Sequence, residues 1–188
     1  PMLKAIASFS GWSLFGQIAY IGSTSGLNMI INIFCGVLLN AATGIAQQVN
    51  SAIYNFVSNF QTAFNPQLIQ TYSSGNLEVH RVLLSRASRI SYYLLYIISL
   101  PVLINTSYIL HLWLKEVPDH SVTFTQLIIT FSLIEALGAP LWMSMQATGK
   151  IKTYQIIVSS INALNIPIAF VCLYQGLAVE SIFYAKIL

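Results

Sequence analysis

The chain has 188 residues, of which 56% are hydrophobic and only 7% charged, with a formal net charge of +3 and a mean hydropathy of +0.71. A soluble domain is about one quarter charged, so eight basic and five acidic residues are too few to clothe a water-exposed surface of this size. The two cysteines, Cys35 and Cys172, lie in apolar segments without metal-ligand spacing, which argues against a disulfide framework and a zinc site.

The predicted fold is an all-α integral membrane protein. Five full transmembrane helices are expected at residues 12–39, 42–71, 90–114, 122–147 and 154–174, with the start of a sixth at 180–188 and a cytoplasmic basic linker at 72–89. Together they make a single transmembrane helical lobe over 1–188. The final apolar stretch is far shorter than the ~20 residues of a crossing, so the chain is expected to be an excerpt of a longer protein. Residues 2–10 show one lysine and no short apolar core ending in a cleavage site.

From residue 5 to residue 77 there is no Lys, Arg, Asp, Glu or His, yet the run holds fourteen Asn and Gln. One helix of that length would exceed ~100 Å, so a turn is expected at Asn40-Ala41-Ala42-Thr43-Gly44. Along the first pass, Ser13, Gln17, Tyr20, Thr24, Asn28 and Asn32 form a weak polar stripe, and Gly22 and Gly26 form a GxxxG pair suited to close helix approach. The second pass divides more cleanly. At 100° per residue, Gln48, Ser51, Asn55, Asn59 and Thr62 share one side with Gln47, Ser58, Gln61 and Asn65, opposite Val49, Ile53, Phe56, Val57, Phe60 and Phe64. Asn50 is the exception on the apolar side. These amides and hydroxyls serve either interhelical hydrogen bonds, at roughly 0.6–2 kcal/mol each, or a hydrated substrate cavity lined by Gln17, Thr24, Asn28, Asn32, Gln48, Ser51, Asn55, Asn59 and Thr62. The breadth of the polar arc favours the cavity.

Next in the chain come His80, Arg81, Arg86 and Arg89. The arginines read as positive-inside anchors to anionic lipid, or as a site for a phosphate-bearing lipid headgroup. Passes two to five each carry one proline: Pro66, Pro101, Pro140 and Pro167. Each removes a backbone donor and favours a kink. Glu135, with Gly138 and Pro140 following it, is the one acid well inside a span. It is either a structural partner or the site of a coupling ion, H+ or Na+. Lys186 is placed shallower, where it can snorkel. Lys4, Arg81, Arg86, Arg89, Lys150 and Lys152 fall on one side of the alternating thread, which assigns that side to the cytoplasm. The opposite loops hold no charge at 40–44, and Lys115, Glu116 and Asp119 in the other.

Several stretches resemble a known family: Gly11-Trp12-Ser13-Leu14-Phe15-Gly16, the 40–44 turn leading into Gln47-Gln48-Val49-Asn50, Phe64-Asn65-Pro66-Gln67-Leu68-Ile69, Leu112-Trp113-Leu114, and Gln146-Ala147-Thr148-Gly149-Lys150. They are similar to bacterial polysaccharide and O-antigen flippases of the multidrug, oligosaccharidyl-lipid and polysaccharide exporter superfamily, over helices seven to twelve. The resemblance implies one lobe of a V-shaped, two-lobe transporter in the bacterial cytoplasmic membrane, working with an N-terminal lobe of the same protein. It implies a lipid-diphosphate-linked oligosaccharide as cargo, moved by alternating access. Family members use cavity cations for the diphosphate, and here no Lys or Arg lies deep in passes one to five, so such cations are assigned to the other lobe.

Two alternatives stand beside this reading: a cation-coupled multidrug exporter of the same superfamily, and a non-catalytic scaffold of an envelope polysaccharide assembly complex. An enzyme is not expected. There is no His/Asp pair, paired carboxylates or metal motif at an interface, no cofactor is implied, and the composition gives no reason to expect nucleic acid as a partner.

Overall fold

A computed structural model of the protein describes residues 2–175 together with Val179, Glu180 and Ile182. The described residues are mainly helical, without strands. In chain order the helices are α1 (Met2–Ser73), α2 (Leu77–Ile104), α3 (Thr106–Trp113), α4 (Ser121–Ala147) and α5 (Lys152–Tyr174). Four of them, all but α3, are long and apolar enough to cross a membrane, which fits a multi-pass membrane protein.

The count corrects the expectation of five full passes and the start of a sixth. The first two predicted passes form one element, and the turn predicted at 40–44 is helical. Two alanines there are strong helix formers, Ala42 and Thr43 are buried, and the Thr43 hydroxyl donates to Leu39 O at 3.0 Å. Helical geometry is instead interrupted at Gly36, with φ 81° and ψ 174°, a combination open essentially to glycine alone. Most of the sixth predicted segment, including Lys186, lies outside the described residues.

Two further boundaries differ from the sequence reading. The basic stretch at 72–89 is helix from Leu77 onward, started by the Asn76 side chain, which accepts from Val79 N at 3.3 Å. The predicted 90–114 pass is divided at Asn105, whose backbone N–H and side-chain amide both donate to Pro101 O, at 3.1 and 3.0 Å. Pro66, Pro101, Pro140 and Pro167 all lie inside helices.

The chain forms two compact units, residues 37–147 and residues 1–36 with 148–188. In the first, α2 packs on α4. The buried residues of α2 include a four-residue stripe, Ala87, Ser91, Leu95 and Ser99, and those of α4 include Ser121, Thr125, Ser132 and Ala136 besides larger aliphatic and aromatic side chains. Small side chains at this spacing let helix backbones approach closely. The core there is Ile53, Val57, Leu95, Ile129, Leu133 and Ala136.

In the second unit, the N-terminal part of α1 packs along α5. Ser23 Oγ donates to Asn162 O at 2.7 Å, and a Cβ on Gly26 would stand 3.2 Å from Ile166 Cδ1. Gly16 is in direct contact with the Gln155 amide, which occupies the space a side chain there would need. Gly16, Ser23 and Gly26 on one helix are spaced by seven and three residues, and Gln155, Ser159, Asn162, Ile166 and Ala169 on the other by four and three, so each set keeps to one helix face, the spacing of close helix pairs. Gly22 faces open space, so the close approach uses Gly16, Ser23 and Gly26 rather than the Gly22/Gly26 pair.

Candidate functional site

Helical periodicity sorts residues 42–62 into two faces with different fates. Ala42, Ala46, Ile53 and Val57 are buried, all but Ile53 completely. On the other side Gln48, Ser51, Asn55, Asn59 and Thr62 are all exposed. On the polar side two hydroxyls are used locally: Ser58 Oγ donates to Asn55 O at 3.3 Å and Thr62 Oγ1 to Ser58 O at 2.7 Å. Among the described residues, the side-chain amides of Gln48, Asn55 and Asn59 make no hydrogen bond. Gln61, at the border of the two faces, donates from Nε2 to Ala136 O on α4 at 3.4 Å. Phe60 and Phe64 are half-buried and meet edge-on at 5.1 Å, whereas Phe56 is 61% exposed despite its place on the apolar side. Asn50 is half-buried, its Oδ1 without a partner among the described residues.

In the other unit, Gln17, Thr24, Asn28 and Asn32 are likewise exposed. Thr24 Oγ1 donates to Tyr20 O at 3.0 Å. Gly16, Ser23 and Ile31 are buried on the side that meets α5. Each unit thus presents a row of neutral polar side chains away from its own helix packing. In hydrocarbon such groups are expensive, so a membrane helix carrying them needs water or another polar surface against that side.

Glu135 lies near the midpoint of α4 and is exposed, two and one residues from buried Leu133 and Ala136. Arg81, Arg86 and Arg89 are exposed on α2, and Arg89 Nε turns back to Ser85 O at 3.3 Å.

His80, grouped with these arginines by sequence, has a different role. It is 5% exposed, and its Nδ1 lies 3.1 Å from both Leu68 O and Thr71 Oγ1. Its Nε2 lies 2.7 Å from Ser144 Oγ, and Tyr72 meets the ring edge-on at 5.6 Å. A carbonyl can only accept, so Nδ1 carries the hydrogen; in the neutral ring Nε2 then accepts from the Ser144 hydroxyl. This clasp joins α1, α2 and α4 at one end of their unit. No residue type or spacing in the sequence points from His80 to Ser144, because the pairing depends on how α2 and α4 align.

Among the described residues no three His, Cys, Asp or Glu side chains converge as a metal site. Comparison with protein families, curated proteins and solved structures finds no match to this chain.

Proposed function

We propose that the chain is the C-terminal lobe of a flippase that carries lipid-linked oligosaccharide across the bacterial cytoplasmic membrane by alternating access. One observation carries this reading: all nine polar residues assigned to a substrate path, Gln17 to Thr62, are exposed on helices otherwise apolar enough to span a bilayer. Had they served hydrogen bonding between the helices of this chain, they would lie in its helix seams. Neutral amides and hydroxyls that donate and accept suit the hydroxyls of a sugar. The family resemblance of the sequence supplies the cargo class and the cytoplasmic membrane.

The 68-residue apolar stretch of α1 is about three times the length of one crossing. In the proposed topology it crosses twice, with the interruption at Gly36 between the crossings. That arrangement returns Lys4, the arginines of α2, and Lys150 and Lys152 to the cytoplasmic side.

The test uses the full-length protein with Cys35 and Cys172 replaced by alanine. Single cysteines at Gln48, Asn55, Asn59 and Thr62 should react with a membrane-impermeant maleimide in intact cells, while cysteines at Ile53 and Val57 stay protected. The double variant Asn55→Leu/Asn59→Leu should lose transport of lipid-linked oligosaccharide in proteoliposomes at normal abundance. Equal protection of both faces, or undiminished transport by the double variant, refutes the proposal.

A further inference from the structure

Between the end of α1 and the start of α2 lies a groove of about 390 Å³. One wall is Gln67 and Gln70, with Thr71 beside them; the other is Val79, Val82, Leu83 and Arg86. Both sets fall on single helix faces, at steps of three and four residues. The volume is within the ~300–1,000 Å³ typical of small-molecule sites.

The lining is chemically divided. Gln67, Gln70 and Arg86 offer amide and guanidinium N–H groups, and among the described residues none of these side chains makes a hydrogen bond or ion pair. Three aliphatic side chains, Val79, Val82 and Leu83, share the Arg86 wall and face the two glutamines. Among the described residues no acidic side chain lines the groove. Of the three arginines on this stretch only Arg86 reaches it, since Arg81 is absent from the lining and Arg89 folds onto Ser85 O.

The walls are also fixed relative to each other. Thr71 is both a lining residue and a partner of His80, whose Nδ1 sits 3.1 Å from Thr71 Oγ1 and from Leu68 O. The connecting turn is tight, with Gly75 at φ 74° and its N–H donating to Tyr72 O at 3.1 Å. A site held this way exists before its ligand arrives, which lowers the ordering cost of binding.

We infer that this groove binds the phosphate of a net-anionic membrane lipid, with Arg86 pairing with the phosphate, Gln67 and Gln70 donating to its oxygens, and the first carbons of the lipid lying on Val79, Val82 and Leu83. Guanidinium to phosphate contacts are charge-assisted and can be bidentate. A free phosphate would leave the aliphatic wall without a use, and a zwitterionic headgroup would bring an ammonium to a groove that has no carboxylate. The groove stands at the ends of membrane-spanning helices beside a run of arginines, where anionic headgroups concentrate. The inference requires only that these helices span a membrane and does not depend on what the protein transports.

Native mass spectrometry of the full-length protein, titrated with phosphatidylglycerol or phosphatidylcholine of equal chain length, tests it. Wild type should retain one phosphatidylglycerol in preference to phosphatidylcholine. Arg86→Gln should weaken that retention roughly tenfold, and Arg81→Gln or Arg89→Gln less than about twofold. Arg86→Lys, which keeps the charge and loses the fork, should fall between. Val82→Ala/Leu83→Ala should weaken retention several-fold without changing the melting temperature. Three outcomes overturn the inference: equal losses for all three arginines, which means diffuse attraction; equal retention of the two lipids; or displacement of phosphatidylglycerol by millimolar inorganic phosphate, which means a free-anion site. No transport is measured, so failure here leaves the export reading standing, and failure of export leaves the lipid site standing.

Discussion

His80 Nε2 and Ser144 Oγ lie 2.7 Å apart across 64 positions of sequence, and the same ring reaches Leu68 O through Nδ1. One imidazole therefore uses both nitrogens to hold three helices together. Ser144→Ala leaves Nε2 buried without a partner, a loss of about 1–3 kcal/mol, and His80→Ala removes both bonds and leaves a void. If the clasp is a unit, the double variant should be less destabilised than the sum of the single ones, with a coupling of about 0.5–3 kcal/mol. Thermal unfolding in detergent reads this directly, and strict additivity would show that the two side chains do not stabilise each other.

Gly36 and Gly44 should respond oppositely to alanine. At Gly36 the backbone has φ 81° and ψ 174°, and forcing an L side chain into that region costs about 1–3 kcal/mol. Gly44 lies within a regular helix, and a Cβ added there would have nothing within 4 Å, so Gly44→Ala should stabilise by about 0.5–1 kcal/mol. Gly36→Ala should lower folded abundance and melting temperature, and Gly44→Ala should raise or preserve both. The opposite order would put the essential break back at 40–44.

That contrast also shows what is legible in the sequence. Absence of charge and high hydropathy specify apolar helices, and the 3.6-residue period separates Ile53 and Val57 from Asn55 and Asn59 as the structure separates them. The position of the break is not legible, because Asn, Thr and Gly in 40–44 carry turn propensity, while a lone Gly36 amid Cys, Val and Leu carries none that a pattern reveals. Buried Ala42 and Thr43 decide the matter through packing, a long-range effect. The role of His80 is hidden for the same reason. Its neighbours in sequence include Arg81, but its neighbours in space are a carbonyl, a threonine and a serine.

Gly16 and Gln155 make a testable pair. A Cβ at Gly16 would collide with the Gln155 amide, which is itself buried. Gly16→Ala should therefore destabilise, since overpacking typically costs about 1–3 kcal/mol, and Gln155→Ala in the same chain should restore much of the loss. Gly22→Ala, facing open space in the same helix as Gly44, serves as the control and should raise stability by about 0.5–1 kcal/mol or preserve it. Equal effects at Gly16 and Gly22, or no rescue by Gln155→Ala, would contradict the contact.

Glu135 occupies the middle of α4 on its exposed side. An ionised side chain at the centre of a bilayer helix costs about 2.5–3.5 kcal/mol on insertion scales, so its retention there calls for a use. If that use is binding the coupling ion, Glu135→Gln keeps the volume and a hydrogen-bonding amide oxygen but removes the exchangeable charge. Couplings of about 1–3 kcal/mol between two ligands correspond to roughly 5–150-fold changes in affinity. Gradient-driven transport in proteoliposomes should therefore fall by at least that lower figure, while insertion, abundance and gradient-free exchange of cargo stay near wild type. Glu116→Gln, in the loop before α4, should change none of these. Loss of abundance in Glu135→Gln would make the carboxyl a structural partner, and a full gradient response would remove it from coupling altogether.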